Sequence, residues 1–225
     1  MKRFYLKNQL SWKAFRATDE VIADYYRALT VAISKPLVDI PLMAIDLEMT
    51  GLNAQFDQIL SIGMVPIQNG MLQLKDADYR LVSIEGSVGD SAAIHGIVDG
   101  QLDAAISAKE AMHWFLQKTQ GHVLIAHHAP LDLCFLKAEL FRCFGEKMTF
   151  VSIDTMSLER GRILRQHEVI KEGSLRLDAC RSRYGLPIYA AHNAAVDALS
   201  CGELLLAQMA SIAGAEELTL SDLLR

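Results

Sequence analysis

One apolar run of the chain, Leu42–Leu47, ends on two acids spaced i, i+2: Asp46 and Glu48. On a strand such residues face the same side, roughly 6–7 Å apart along the chain. Burying unpaired charge is expensive, so two carboxylates there need either solvent or a cation. Read alone, an acidic strand end facing solvent explains the pair equally well. Asp132 follows a second apolar run, Val123–Ala126, and opens a helix in the string AHHAPLDLCFL. The helix dipole favours an acid in a first turn, so a plain helix-start residue is the competing explanation. His192-x4-Asp197 stands at the entrance to a long apolar helix, with Asp197 among Ala194, Ala195, Val196, Ala198 and Leu199. A lone His in such a place is more often a satisfied surface or core residue than a catalyst.

Together the residues carry more than they do apart. Asp46, Glu48, Asp132 and Asp197 each sit at an element end next to apolar sequence. Carboxylates crowded together repel and raise one another's pKa values. Hard divalent cations, Mg²⁺ or Mn²⁺, relieve that. Two such ions about 3.5–4 Å apart clamp an in-line attack at phosphorus. An imidazole beside them can accept the proton of the attacking water.

With these residues in view, IDLEMTGL (Ile45–Leu52), Ile94-His95-Gly96-Ile97, AHHAPLDLCFL and His192-x4-Asp197 resemble, in order and spacing, the DEDDh 3′-5′ exonucleases. The branch they look like is that of the DNA polymerase III epsilon-subunit-like exonucleases. The resemblance covers residues 42–212. It implies an α/β, ribonuclease H-like fold: a mixed five-stranded sheet flanked by helices. It implies two divalent ions held by Asp46, Glu48, Asp132 and Asp197, with His192 as general base. Met49, Thr50, Gly51 and Leu52 would line the terminal nucleotide, which His95 would approach. Leu52 as a core residue, and Thr50 and Gly51 as mere turn formers, are the competing explanations.

The sequence also departs from that family. His128 stands where Asn is common, Leu131 where Phe is common before the acid, Ala191 where Arg often precedes the His, and Ser61 where the second strand usually has Glu. None of these removes a ligand or the base. They bear on nucleic-acid contacts.

The elements that must position these residues follow from pattern. Ile59–Ile67 reads as a second strand, Asn69-Gly70 as a hairpin turn and Tyr79–Ser83 as a further strand. Ser107-x-x-Glu110 is a capping box for a helix ending near Gly121. Val123–Ala126 and Phe150–Ile153 read as strands, with a helix over 131–144 between them. Ser174 is expected to cap a helix that Gly185 ends, and Asn193–Ile212 forms the last long helix, stopped near Gly214. Strands first, then βα alternation, predict a mixed sheet with helices packed on it. Residues 1–38 read as a helical extension, with Trp12, Phe15, Ile22, Tyr26 and Leu29 at helical spacing and Thr18 as a cap. Residues 39–214 form the nuclease unit and 215–225 a short tail.

Composition limits the alternatives. The 225 residues are 51% hydrophobic and 22% charged, ordinary for a globular chain, and the net charge is −5. Gripping long duplex by bulk charge relies on many cation–phosphate contacts, which this balance disfavours. No apolar run reaches the roughly 18 residues of a membrane span, and the basic N-terminus lacks a secretory h-region. Cys134, Cys143, Cys180 and Cys201 show no CxxC pairing and are expected to be reduced and mostly buried, in a cytoplasmic protein. The cluster His122, His127, His128 and Cys134 fits no closed zinc spacing.

Three functions compete. The first is 3′-5′ removal of nucleotides from single-stranded or frayed 3′ ends, DNA favoured. The second is oligoribonuclease-like degradation of short RNA. The third is a polymerase-associated module, with residues 1–38 as its docking element.

Overall fold

The computed structural model describes residues 2–166, 169–213 and 218–224. Helices α1 (Lys2–Arg16) and α2 (Glu20–Ala32) precede strands β1 (Leu42–Met49), β2 (Ile59–Gln68), β3 (Met71–Leu72) and β4 (Asp78–Leu81). There follow α3 (Ala92–His95), α4 (Ala108–Thr119), β5 (Val123–Ala126), α5 (Ala129–Phe144) and β6 (Ser152–Asp154). The described chain closes with α6 (Thr155–Arg165), α7 (Leu177–Arg183), α8 (Ala194–Ala213) and α9 (Leu220–Leu223).

β1 lies at the centre of the sheet. It is antiparallel to β2 and parallel to β5, and β6 extends the parallel side. β3 and β4 share the outer edge of β2, so six strands make a mixed sheet whose path is five strands wide. The extra strand is the two-residue β3, folded back by Asn69 and Gly70 at φ 51° and 70°. Both residues tolerate positive φ, which the tight hairpin turn requires.

The last long helix sets the geometry of the site. α8 packs on β1 and β2. A Cβ on Gly63 would sit 2.1 Å from the Ala194 carbonyl oxygen. Only a glycine on β2 therefore lets the first turn of α8 come so close. Gly63 is the register partner of Asp46, so this contact brings the start of α8 over the acidic end of β1. By length and composition α8 passes for a membrane span, although the sequence predicted none. It carries Asp197 and Glu203, and Ala198, Leu204 and Leu205 are buried.

Helices α1 and α2 pack on the rest. Ile22, Leu29 and Ile33 are fully buried in the same core as β1 and β5, each stabilising by roughly 1.5–3 kcal/mol on burial. Tyr25 meets Phe150 edge-on, and the Tyr26 hydroxyl accepts the Thr149 N–H at 2.8 Å. Trp12 and Phe15 lie on α1 at the expected helical spacing and are 58% and 86% exposed; Leu10 of α1 is buried in the core, with Leu6 and Ala14 packed against it. One expectation fails here. The cap of α2 is Asp19, whose side chain accepts from Val21 and Ile22. Thr18 turns its hydroxyl to Glu146 instead.

Other corrections are local. The helix expected from Ser174 begins at Leu177 behind Arg176, without a side-chain cap, because the Ser174 hydroxyl donates to Lys171 O. The last strand lies at Ser152–Asp154, starting two residues later and ending one later than its apolar run suggests. The α6 helix was not anticipated. The expected stop at Gly214 lies outside the described residues. All four cysteines are free, but only Cys180 and Cys201 are buried; Cys134 is exposed.

Candidate active site

The carboxylates of Asp46 and Glu48 leave the C-terminal end of β1 on the face that meets α8. There Asp197, in the first turn of α8, joins them: ligand oxygens of the three lie within 4.8 Å of one another. Asp132, in the first turn of α5, is 5% exposed. Its charge acts on Asp46, and it feels Glu48 and the backbone N–H of Leu47, the residue between those two acids. Four acids from three separate elements thus meet at one end of the sheet, with Asp132 outside the tight group of three.

Their electrostatics follow from crowding without counter-charge. Burial first, then the charges of Asp132, Asp197 and Glu48, raise Asp46 well above the usual carboxylate range. Burial and Asp197 push Glu48 up to about 7. Asp132 also rises to about 7, burial outweighing the hydrogen bonds from its own N–H and that of Leu47. Asp197 is raised by burial, opposed by the N–H groups of His192 and Asn193. Such a group holds protons at neutral pH and would exchange them for hard cations. Clustered carboxylate oxygens are the donor set that suits Mg²⁺ or Mn²⁺. Among the described residues no other acid, His or Cys cluster has metal-binding spacing.

His192 is exposed and takes the left-handed conformation at φ 66°. Its N–H donates to Asp197 Oδ2 at 2.7 Å. Asn193 caps α8, its side chain accepting from Ala195 and Val196. The charge of His192 is felt at His95 and, after burial, lowers the pKa of that ring. The His95 Nδ1 accepts the Ile97 N–H at 3.1 Å, which leaves a proton for Nε2 in the neutral ring. That Nε2 is buried and has no partner.

The Met49–Leu52 turn begins at a bulge between Glu48 and Met49. The Thr50 hydroxyl accepts the Gln58 N–H at 3.0 Å, and the Asp57 carboxylate accepts the Asn53 N–H at 2.8 Å. Asp57 occupies the space a Cβ on Gly51 would need, 2.4 Å away. Leu52 is 77% exposed; it is not a core residue. Asp46 and Asp197 border a cleft of about 680 Å³, lined also by His128, Leu131, Arg181 and His192 among others.

Sequence reasoning missed Asp154. At the end of β6 it caps Met156 and accepts from Ser157 Oγ. It also accepts the His128 N–H at 2.9 Å, holding His128 in the left-handed conformation that opens α5 ahead of Asp132. An acid straight after an apolar strand was the available signal. His127 is taken up structurally, its ring bridging Thr155 Oγ1 and Leu175 O at 2.8 Å each. That leaves no ring nitrogen for zinc.

Comparison with known proteins decides the family. A family model of exonucleases, RNase_T, matches residues 43–205. This chain belongs to that exonuclease family. The DNA polymerase III subunit epsilon of Treponema pallidum (strain Nichols) is 30% identical over 170 residues, 74% of this chain and 75% of that protein. The PolC-type DNA polymerase III of Thermotoga petrophila is 29% identical over 165 residues, 73% of this chain but 11% of the polymerase. The chain thus spans about a tenth of the PolC-type relatives. The nuclease domain of 3′hExo, a DEDDh family member solved bound to rAMP, shares the fold: TM-score 0.61 at 16% identity, over 79% of this chain and 95% of that one. The ribonuclease H-like architecture and the nuclease class are thereby those the motifs implied.

Proposed function

We propose that this DEDDh exonuclease removes nucleotides from the 3′ end of single-stranded or frayed DNA, releasing nucleoside 5′-monophosphates. The convergence of ligand oxygens of Asp46, Glu48 and Asp197 within 4.8 Å, with buried Asp132 close enough for its charge to act on Asp46, carries the reading. In it, Asp46, Glu48, Asp132 and Asp197 hold two divalent ions, Mg²⁺ or Mn²⁺. Bound there, such ions supply Lewis acidity toward the phosphodiester and lower the pKa of water.

The protein's own groups do the rest. Water attacks phosphorus, the bond to the 3′ oxygen of the preceding nucleotide breaks, and a ring nitrogen of His192 takes the proton of the water. The freed 3′ oxygen is protonated from solvent. The backbone of Met49, Thr50 and Gly51 borders the terminal sugar, and exposed Leu52 offers an apolar surface to its base. The unpartnered Nε2–H of His95 is a donor awaiting an acceptor there. Residues 39–214 are the nuclease unit, with 1–38 as a helical extension and 215–225 as a tail. A polymerase partner accords with the names of the relatives; in this reading it docks through residues 1–38, and the protein works in the cytoplasm.

The test is hydrolysis of a 5′-labelled single strand with Mn²⁺ or Mg²⁺, run beside the same strand blocked at its 3′ end and beside a short RNA. Stepwise shortening of the free DNA strand alone supports the reading. Cleavage of the blocked strand overturns the polarity, and faster loss of the RNA overturns the substrate.

A further inference from the structure

The segment between α7 and α8 carries His192 and is held from beneath by one buried guanidinium. Arg181, on α7, is 3% exposed. Its Nη1 donates to Ser200 O, inside α8, at 2.7 Å. Its Nη2 donates to Pro187 O at 2.7 Å and to Glu203 Oε2 at 2.8 Å. The Tyr189 ring lies over the guanidinium at 4.7 Å, and the Tyr189 hydroxyl donates to Glu203 Oε1 at 3.1 Å. The backbone carbonyl of Arg181 also accepts the Leu186 N–H at 3.2 Å. The segment is therefore tied at both ends. Pro187 and Tyr189 are fixed to the Arg181–Glu203 pair, and His192 is fixed to Asp197 by its backbone N–H. Between the ties, Ala190 and Ala191 are exposed and bear no side chain that could anchor them.

A buried ion pair is by itself weak support for stability, since desolvation offsets much of its attraction. Here the guanidinium spends its fork on two carbonyls and a carboxylate from different elements, which fixes a distance between them. Planar, multi-pronged geometry is what Arg offers and Lys does not.

We infer that Arg181, with Glu203 and Tyr189, is a positioning residue that sets the place of the His192 ring relative to the four acids. The inference rests on His192 as the proton acceptor. It adds that the reach of that ring is determined by a guanidinium in the wall of the same cleft, whose Nη1 and Nη2 are engaged by Ser200 O, Pro187 O and Glu203 Oε2. Ser200 O ties the guanidinium to the same helix that bears Asp197, so the strap and the acid move as one unit.

The experiment measures kcat and KM on a single-stranded oligonucleotide with Mn²⁺ for Arg181→Lys, Glu203→Gln and Tyr189→Phe, each with and without His192→Ala. A Mn²⁺-dependent rise in melting temperature certifies that each variant keeps its fold and acid cluster. Misplacing a catalytic group by about 1 Å can cost on the order of 10²-fold. Arg181→Lys is expected to lower kcat by about 10-fold to 100-fold with KM within about twofold. Glu203→Gln should lower it less, and Tyr189→Phe least. With His192→Ala already present, Arg181→Lys should cost nothing more, because residues acting as a unit are non-additive. An Arg181→Lys loss of equal size in both backgrounds overturns the inference and leaves the general-base reading standing. A rise in KM at constant kcat overturns it in favour of a substrate contact. A normal kcat for His192→Ala alone overturns both.

Discussion

The backbone N–H of His192 donates to Asp197 Oδ2 at 2.7 Å, so the candidate base and a candidate ligand form one hydrogen-bonded unit. A non-glycine residue at φ 66° carries strain of roughly 1–3 kcal/mol, and this bond helps hold it. Asp197 thus has two tasks that substitution can separate. Asp197→Asn keeps an acceptor for the His192 N–H and loses a charge; Asp197→Ala loses both. Each should lower turnover by at least about 10²-fold, since several kcal/mol of charge stabilisation go. Amide hydrogen exchange at His192 should stay slow in Asp197→Asn and quicken in Asp197→Ala. Equal exchange in the two would contradict the double role.

Glu48 and Asp132 are pushed up to about 7, and Asp46 and Asp197 are raised as well, burial being the largest cause for each. An acid with a raised folded pKa binds more protons folded than unfolded, so the sign is set: stability is full below about pH 4 and is lost as pH rises through about 7. The metal-free protein should melt at lower temperature at pH 8 than at pH 5. Cations bind the ionised group, so Mn²⁺ should raise the melting temperature more at pH 8 than at pH 6. A Mn²⁺ effect independent of pH would tell against these acids as its source.

Gly63→Ala is expected to damage a site it does not enter. The added Cβ would lie 2.1 Å from Ala194 O, so the first turn of α8 must move away from β2. Overpacking of this kind costs typically about 1–3 kcal/mol. The displaced turn carries Asp197, so the Mn²⁺-induced stabilisation should shrink along with turnover. Calorimetry with and without Mn²⁺ measures both, and an unchanged Mn²⁺ increment would show that α8 had not moved.

His192→Ala should lower kcat by about 10²–10⁴-fold, the usual worth of a general base. The Mn²⁺-dependent rise in melting temperature should survive, because the backbone N–H to Asp197 is retained. Loss of that rise would mean the imidazole itself is a ligand.

What was legible in the sequence was local. The Ser107–Glu110 box caps α4 reciprocally, with Glu110 accepting the Ser107 N–H at 2.9 Å, because four consecutive residues contain the whole device. Asn69-Gly70 names its turn for the same reason. The acids were legible as motifs in order, and the folded chain brings them to one end of the sheet. What stayed hidden depends on other elements. Periodicity placed Trp12 and Phe15 on one face of α1 but not which face would be covered. Thr18 and Asp19 are equally good caps in isolation, and Glu146, 128 residues away from Thr18, draws the former off. The α6 helix was masked by its charge: Glu159 is fully buried only because Arg162, Arg183 and Tyr184 surround it. Gly63 and Asp154 shape the site through a helix approach and a cap, neither of which spacing along the chain displays.

The most direct measurement is anomalous diffraction from crystals grown with Mn²⁺ and a nucleoside 5′-monophosphate. The account predicts manganese peaks in contact with Asp46, Glu48, Asp132 and Asp197, with the phosphate against them and the His192 ring facing it. Active protein whose crystals, saturated with Mn²⁺, hold no metal among those four carboxylates would contradict it.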